Sequence, residues 1–271
     1  MPAHQNRWYL IAKDSLSIWR RGKSEGTSQS GGSSCTLRRP SPTPIRRSRL
    51  PRNIGLGIWP FLLLAVALLV SPGSPRAQSE RWTQLFNGRD LAGWEHVGPG
   101  TFAVEDKMLK TEGGMGLLWY SRKKISDSTL RVVFKLTHDM DDSGVFIRIP
   151  DKPTDPWMAV NRGYEVEIGN WPDDYSCTGA VYTFTKALAR PLKPTGEWNT
   201  MDVTLDGART IVFLNGIRVT DYKEGDPVPA KRDPHDPDRG PRPIAGYIGL
   251  QNYSQKSAIY FREVAVRPLQ K

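Results

Sequence analysis

Leu130-Arg131-Val132-Val133-Phe134-Lys135-Leu136 sets Leu130, Val132, Phe134 and Leu136 in one phase and Arg131 and Lys135 in the other. Side chains of a strand alternate between the two faces of a sheet, so this stretch reads as a strand with one core face. Met201, Val203 and Leu205 repeat the pattern downstream. From Ile211 to Val219 two apolar runs flank Asn215-Gly216, a pair that favours the tight hairpin turn because both residues tolerate positive φ. Further strands are expected over Phe102–Leu109, Gly116–Tyr120, Val145–Ile149, Tyr164–Ile168, Ala180–Phe184, Tyr247–Leu250 and Ile259–Val266, with Gly, Pro and Asp between them. Helical periodicity is scarce. Many short strands joined by turns imply an all-β fold, a two-sheet antiparallel sandwich or jelly roll. Glu224 to Pro243, dense in Pro, Asp and Arg, reads as a long surface loop.

The chain has 271 residues, 38 basic and 28 acidic, for a formal net charge of +10. The excess sits in the head, where residues 1–53 hold eleven Lys and Arg against two acids, and the remainder is close to neutral. Charge therefore gives the folded part no nucleic-acid signal. A hydrophobic content of 38% with nine tryptophans excludes a wholly disordered chain. Two cysteines exclude a disulfide scaffold and a Cys-based structural zinc site. Residues 1–45, rich in Ser, Arg, Pro and Gly, read as disordered or as an extension upstream of the true start. Arg46, Arg47, Arg49 and Arg52 then precede a 17-residue apolar run, Ile54 to Val70, that ends in small residues and prolines. Residues 46–77 read as a secretory signal peptide, with a signal anchor over 54–70 as the alternative. The expectation is an exported protein, periplasmic or extracellular, that touches a membrane only through this segment if uncleaved. Residues 78–271 read as one domain.

Within that domain the chemistry-bearing stretch is Gly163-Tyr164-Glu165-Val166-Glu167-Ile168-Gly169-Asn170. Two residues apart on a strand, Glu165 and Glu167 share a face, and neighbouring carboxylates raise each other's pKa, as a general base or a metal ligand requires. A solvated sheet face accounts for the same spacing. Ser143-Gly-Val-Phe-Ile-Arg148 reads as the adjacent strand with Phe146 and Arg148 in one phase, so Arg148 is either a fixed cation beside the glutamates or a salt-bridge partner to one of them. Tyr164, Trp171 and Tyr182 are candidates for stacking on sugar rings, although most aromatics of a sandwich belong to its core. The Glu-x-Glu strand also resembles the laminarinase-like glycosidases, whose Glu-x-Asp-x-x-Glu signature would here place Asn170 at the third catalytic position. His235, in Asp233-Pro-His-Asp-Pro-Asp238, reads as part of a solvated loop. No phosphate-loop, zincin, nucleophile-elbow or Cys-x-x-Cys motif occurs.

Leu85-Phe-Asn-Gly-Arg-Asp-Leu-Ala-Gly-Trp94 resembles the opening of the 3-keto-disaccharide hydrolase family. The resemblance continues in order through Ser143-Gly144 and Arg148, Gly163-Tyr-Glu-Val-Glu167, Thr178-Gly-Ala-Val-Tyr182, Gly196-Glu-Trp-Asn199, Leu214-Asn-Gly216, Gly246-Tyr-Ile-Gly-Leu-Gln251 and Phe261-Arg262. It implies a concanavalin-like jelly roll acting on glycosides whose C3 hydroxyl has become a ketone. On such a substrate a base removes the acidified C2 proton, the enolate expels the C1 substituent, and water adds to the enone. Glu165 or Glu167 is then the candidate base, and Arg148 or a divalent metal ion held by the carboxylates the candidate electrophile. The family usually reads Glu-Val-Gln-Ile-x-Asp and carries His after Leu-Gln-x. Here those positions are Glu167, Asn170 and Tyr253, which makes Tyr253 the candidate proton donor and Asn170 and Gln251 candidate substrate contacts. The implied function is cleavage of 3-keto-glycosides; the alternative is a non-catalytic carbohydrate-binding jelly roll that has lost its catalytic pair.

Overall fold

The computed structural model describes residues 81–254 and 258–270. The expectations for residues 1–77 lie outside the described residues. The elements in chain order are β1 (Thr83–Gln84), β2 (Trp94–Val97), β3 (Thr101–Glu105), β4 (Met108–Glu112), β5 (Gly116–Tyr120), β6 (Ser128–Leu136), β7 (Asp142–Ile149), α1 (Pro156–Arg162), β8 (Tyr164–Gly169), β9 (Asn199–Asp206), β10 (Arg209–Leu214), β11 (Ile217–Lys223), β12 (Tyr247–Asn252) and β13 (Ile259–Pro268). They form two antiparallel sheets, as expected of a jelly-roll sandwich. The larger has the order β11-β10-β9-β6-β13-β4-β3, with β1 added on β13, and the smaller has the order β2-β5-β12-β7-β8.

The alternation read along β6 is what joins the sheets. Leu130, Val132, Phe134 and Leu136 share one buried cluster with Leu118, Val145, Ile147, Val166, Ile168 and Leu250 of the smaller sheet. Each such side chain removed from water contributes roughly 1.5–3 kcal/mol. The Asn215-Gly216 turn joins β10 to β11 with φ of 52° and 81°, as the sequence predicts. Three expectations are corrected. Phe102–Leu109 is no single strand but parts of β3 and β4, folded back at Asp106 and Lys107, both at positive φ. Ala180–Phe184 is an irregular segment held by single bridges at Val181, because Thr183 at φ 59° breaks the extended run. The third is α1, seven residues that periodicity is too short to reveal; its local signal is Asp155-Pro156, with the Asp155 carboxylate accepting from Met158 N–H and proline in the first turn.

The smaller sheet is apolar on both faces near α1. On the face turned away from the main core, Leu117, Trp119, Phe146 and Ile149 pack beneath Ala159 and Val160 of the helix. Between Phe146 and Ile149 the register with β12 slips by one residue: Gly249 pairs with Phe146, but Tyr247 pairs with Ile149. This bulge contains Arg148 at φ 57°. Gly246 makes room for it, since a Cβ there would lie 2.3 Å from Arg148 Cα. The bulge breaks the phase shared by Phe146 and Arg148 in the sequence. The Arg148 guanidinium is buried and donates to four backbone carbonyls: Pro243 at 3.2 Å, Ile244 at 3.0 Å, Gly207 at 2.7 Å and Arg209 at 3.2 Å. It ties the β9–β10 turn and the end of the proline-rich loop to β7 and is not the cation expected beside the glutamates.

Arg148→Ala leaves those carbonyls without their donor and is expected to lower the unfolding free energy by about 2–4 kcal/mol in urea titrations. Arg148→Gly should cost about 1 kcal/mol less, because glycine adopts the positive φ freely. Equal and negligible losses in both variants would contradict the structural role.

Candidate active site

Beside the patch covered by α1, the same outer face of the smaller sheet carries acids. The β7–β8 register sets Asp142 opposite Gly169, Gly144 opposite Glu167 and Phe146 opposite Glu165, so these residues face one way. Two glycines make the face concave enough to hold large polar groups. A Cβ on Gly144 would stand 2.2 Å from Glu165 Oε1, and one on Gly169 would stand 2.4 Å from Trp171 Nε1. The carboxyl of Glu165 thus lies over Gly144, and the indole of Trp171 over Gly169. The glutamates are 6% and 4% exposed, which rules out the solvated-face reading of their spacing.

Burial decides their chemistry. It holds Glu165 and Glu167 well above the usual carboxylate range, with the charge of Asp142 pushing further in the same direction. Asp142 is itself pushed up to about 7 by burial, against hydrogen bonds from Glu167 and Trp171 that favour its ionised form. Glu165 differs from its neighbours: among the described residues its carboxyl has no hydrogen-bond partner. Two phenols border the acids. Tyr253 is pushed up to about 12 by burial and then by the charges of Asp142 and Glu165. Tyr182 is raised by burial and then by Glu167 and Glu165. Both remain protonated at neutral pH.

The edge of β8 is held by the segment that follows it. Thr178 N–H donates to Gly169 O at 3.0 Å, Gly179 N–H to Glu167 O at 2.9 Å, and Tyr182 N–H to Glu165 O at 2.9 Å. Arg190 donates to the carbonyls of Trp171 and Pro172 and to Asp174. The proline-rich loop is no freely solvated strand of chain. Arg239 bonds Thr183, Arg242 bonds Gly163 O at 2.9 Å and Asn161 O at 2.9 Å, and Arg232 pairs with Asp173 at 2.7 Å.

Of the residues singled out from sequence, Glu165, Glu167, Tyr182, Tyr253 and Trp171 are brought together. Gln251 is buried on the same face, since Leu250 beside it points into the main core. Its side-chain amide has no partner among the described residues. Asn170 is exposed at the end of β8. Tyr164 is turned into the main core, where its ring packs on Phe184 and Tyr222 and its hydroxyl donates to Glu224. It is no sugar-stacking residue. Asp142 escaped the sequence reading although its phase with Gly144 and Phe146 was legible there. Among the described residues no group of three His, Cys, Asp or Glu side chains is arranged to hold a metal ion.

Groups with raised proton affinity bind protons more tightly folded than unfolded, so stability falls as pH rises from the ordinary glutamate value of 4.5 towards about 7. Urea midpoints are expected to be higher at about pH 5 than at about pH 7.5, and the double change Glu165→Gln, Glu167→Gln should flatten that difference. A midpoint that climbs with pH across this window contradicts the buried acids.

The fold is shared by three candidate glycosyl hydrolases from Parabacteroides distasonis ATCC 8503. One is 25% identical with a TM-score of 0.57, covering 70% of this chain and 100% of its own. The second is 20% identical with a TM-score of 0.57, over 73% of this chain and 98% of its own. The third is 22% identical with a TM-score of 0.51, over 70% and 84%. No curated protein matches the chain. Residues 81–267, almost all of the described part, match the 3-keto-alpha-glucoside-1,2-lyase-like domain, and the chain belongs to that family.

Proposed function

We propose that this chain cleaves 3-keto-glycosides by removing the C2 proton and expelling the C1 substituent, and that water then adds to the enone. The observation that carries the reading is Glu165, a carboxyl more than nine-tenths buried, with no hydrogen-bond partner among the described residues and other acids at its side. Such a group is a strong base once ionised, because burial has raised its affinity for a proton. A ketone at C3 is what gives a sugar C–H bond acidic enough for a carboxylate to break. The enolate oxygen then needs donors that do not themselves ionise. Tyr182, Tyr253 and the amide of Gln251, which has no partner among the described residues, meet that need. The partly buried indole of Trp171 offers the apolar surface on which a sugar ring stacks. Family membership supports the carbohydrate class. The basic segment and apolar run at residues 46–77 support export, and we place the reaction outside the cytoplasm on that ground.

Incubating the full chain with a 3-keto disaccharide and its unoxidised parent, and following both by chromatography, tests the reading. Loss of the keto compound alone is expected. Glu165→Gln should slow it by about a hundredfold or more, and Tyr253→Phe by about tenfold, in line with the usual worth of positioned acids and bases. Equal consumption of both sugars would point to a conventional glycosidase. Reversible binding with both sugars intact would point to a recognition module.

A further inference from the structure

The outer face of the larger sheet, on the opposite side of the sandwich from the acids, carries cations laid on aromatic rings. Arg131 and Lys135 point outward from β6, in the phase opposite Leu130 and Phe134. The Arg131 guanidinium lies 4.3 Å and that of Arg267 4.8 Å from the centre of the Trp82 ring. Lys135 lies 5.0 Å and Arg262 4.5 Å from the centre of the Trp198 ring, and Lys135 is also 5.1 Å from that of Tyr260. Both tryptophans are half-buried and stand next to paired residues, Thr83 with Val266 and Asn199 with Phe134, so the strands fix them in place. Arg262 reaches Trp198 because β13 bulges. Phe261 pairs with Phe134 and Glu263 with Val133, the next residue on β6, so Arg262 is the extra residue between them.

Acids neutralise only part of this charge. Arg131 is paired with Asp202 at 2.7 Å, whereas the side chains of Lys135, Arg262 and Arg267 make no salt bridge or hydrogen bond among the described residues. A guanidinium stacked flat on a ring is held in one orientation and keeps its N–H donors at its edge, the geometry that grips a carboxylate by two bonds. Arg131 and Lys135 are four residues apart on an extended strand, so the two tryptophan platforms are separated by about 13 Å along β6, a span for a chain of sugars rather than for one. Beside Arg262 and Trp198 runs an open groove of about 550 Å³, also bordered by Lys107, Asp106 and Glu263. The two acids decide what kind of anion it takes. They would repel a polymer as densely charged as nucleic acid, with a charge about every 1.7 Å. A polysaccharide with one carboxylate per sugar leaves hydroxyl groups between its charges, and Asp106 and Glu263 accept hydrogen bonds from hydroxyls. We infer that this face is a second binding surface, for a carboxylated polysaccharide, whose carboxylates are held by Arg262, Lys135 and Arg267. It is independent of the reaction at the acidic site.

Affinity electrophoresis of the full chain in native gels tests this, with polygalacturonate, neutral dextran or duplex DNA cast into the gel. Polygalacturonate is expected to retard the wild type, and dextran to leave it unmoved. The double change Lys135→Gln, Arg262→Gln should weaken the polygalacturonate interaction by about tenfold or more, the usual worth of charge-assisted hydrogen bonds. If the double variant fails to fold, Arg262→Gln and Arg267→Gln serve singly, since both side chains are exposed. The basic residues 1–53 attract any polyanion, but they do so equally in wild type and variant, so the comparison isolates the face. Binding of DNA is expected to change by no more than about twofold, because those residues carry it. Absence of polygalacturonate binding, or binding that the variants leave unchanged, overturns the inference. An equal loss for DNA and polygalacturonate also overturns it, by reducing the face to a general polyanion patch. Binding is read without turnover, so a chain that cleaves no keto sugar would refute the proposed function and still decide this surface.

Discussion

Two glutamates buried side by side, with the half-buried Asp142 next to them, are the constraint around which this site is organised. Water is excluded from them, and each ionised neighbour makes the next ionisation harder. A cluster of this kind lowers its energy by keeping protons, by hydrogen-bonding acid to acid, and by surrounding itself with groups that donate. Burial and the charge of Asp142 raise the proton affinity of Glu165 and Glu167, and Tyr182 and Tyr253 border them as phenols that stay protonated at neutral pH. The residual proton affinity is the property that acid–base chemistry needs near neutral pH.

The fold delivers that cluster through backbone geometry rather than through loops. Alternation along β8 aims Glu165 and Glu167 at one face, and the register with β7 puts glycine and Asp142 opposite them. The bulge at Arg148 has the opposite effect on the cation of the adjoining strand. By inserting an extra residue it turns the guanidinium to backbone carbonyls of the β9–β10 turn and the proline-rich loop, where it serves stability.

The strands were legible wherever one face is buried, as along β6 and β9, because a period of two survives any detail of packing. Asn215-Gly216 was legible because positive φ has few takers. What escaped depended on single residues in unusual conformations: Asp106 and Lys107 fold β3 onto β4, Thr183 breaks the run after β8, and Arg148 changes phase, yet none is a glycine or an asparagine that would mark the event. In the site, Glu165 and Glu167 were recognisable by spacing. Asp142 was not, since its significance comes from a cross-strand neighbour and not from its own segment. Tyr164 was misplaced for the reverse reason: it belongs to the same eight-residue stretch as the glutamates but points to the other face.

The central claim is that bond cleavage at C1 begins with loss of the proton at C2. Competition between a 3-keto disaccharide deuterated at C2 and its undeuterated form tests it, the two turned over together by the full chain at times short against spontaneous exchange, with the remaining substrate analysed by mass spectrometry. The account predicts that the deuterated form becomes enriched in the remaining substrate. Consumption of both forms at equal rates would mean that the glycosidic bond breaks directly, and would contradict the account.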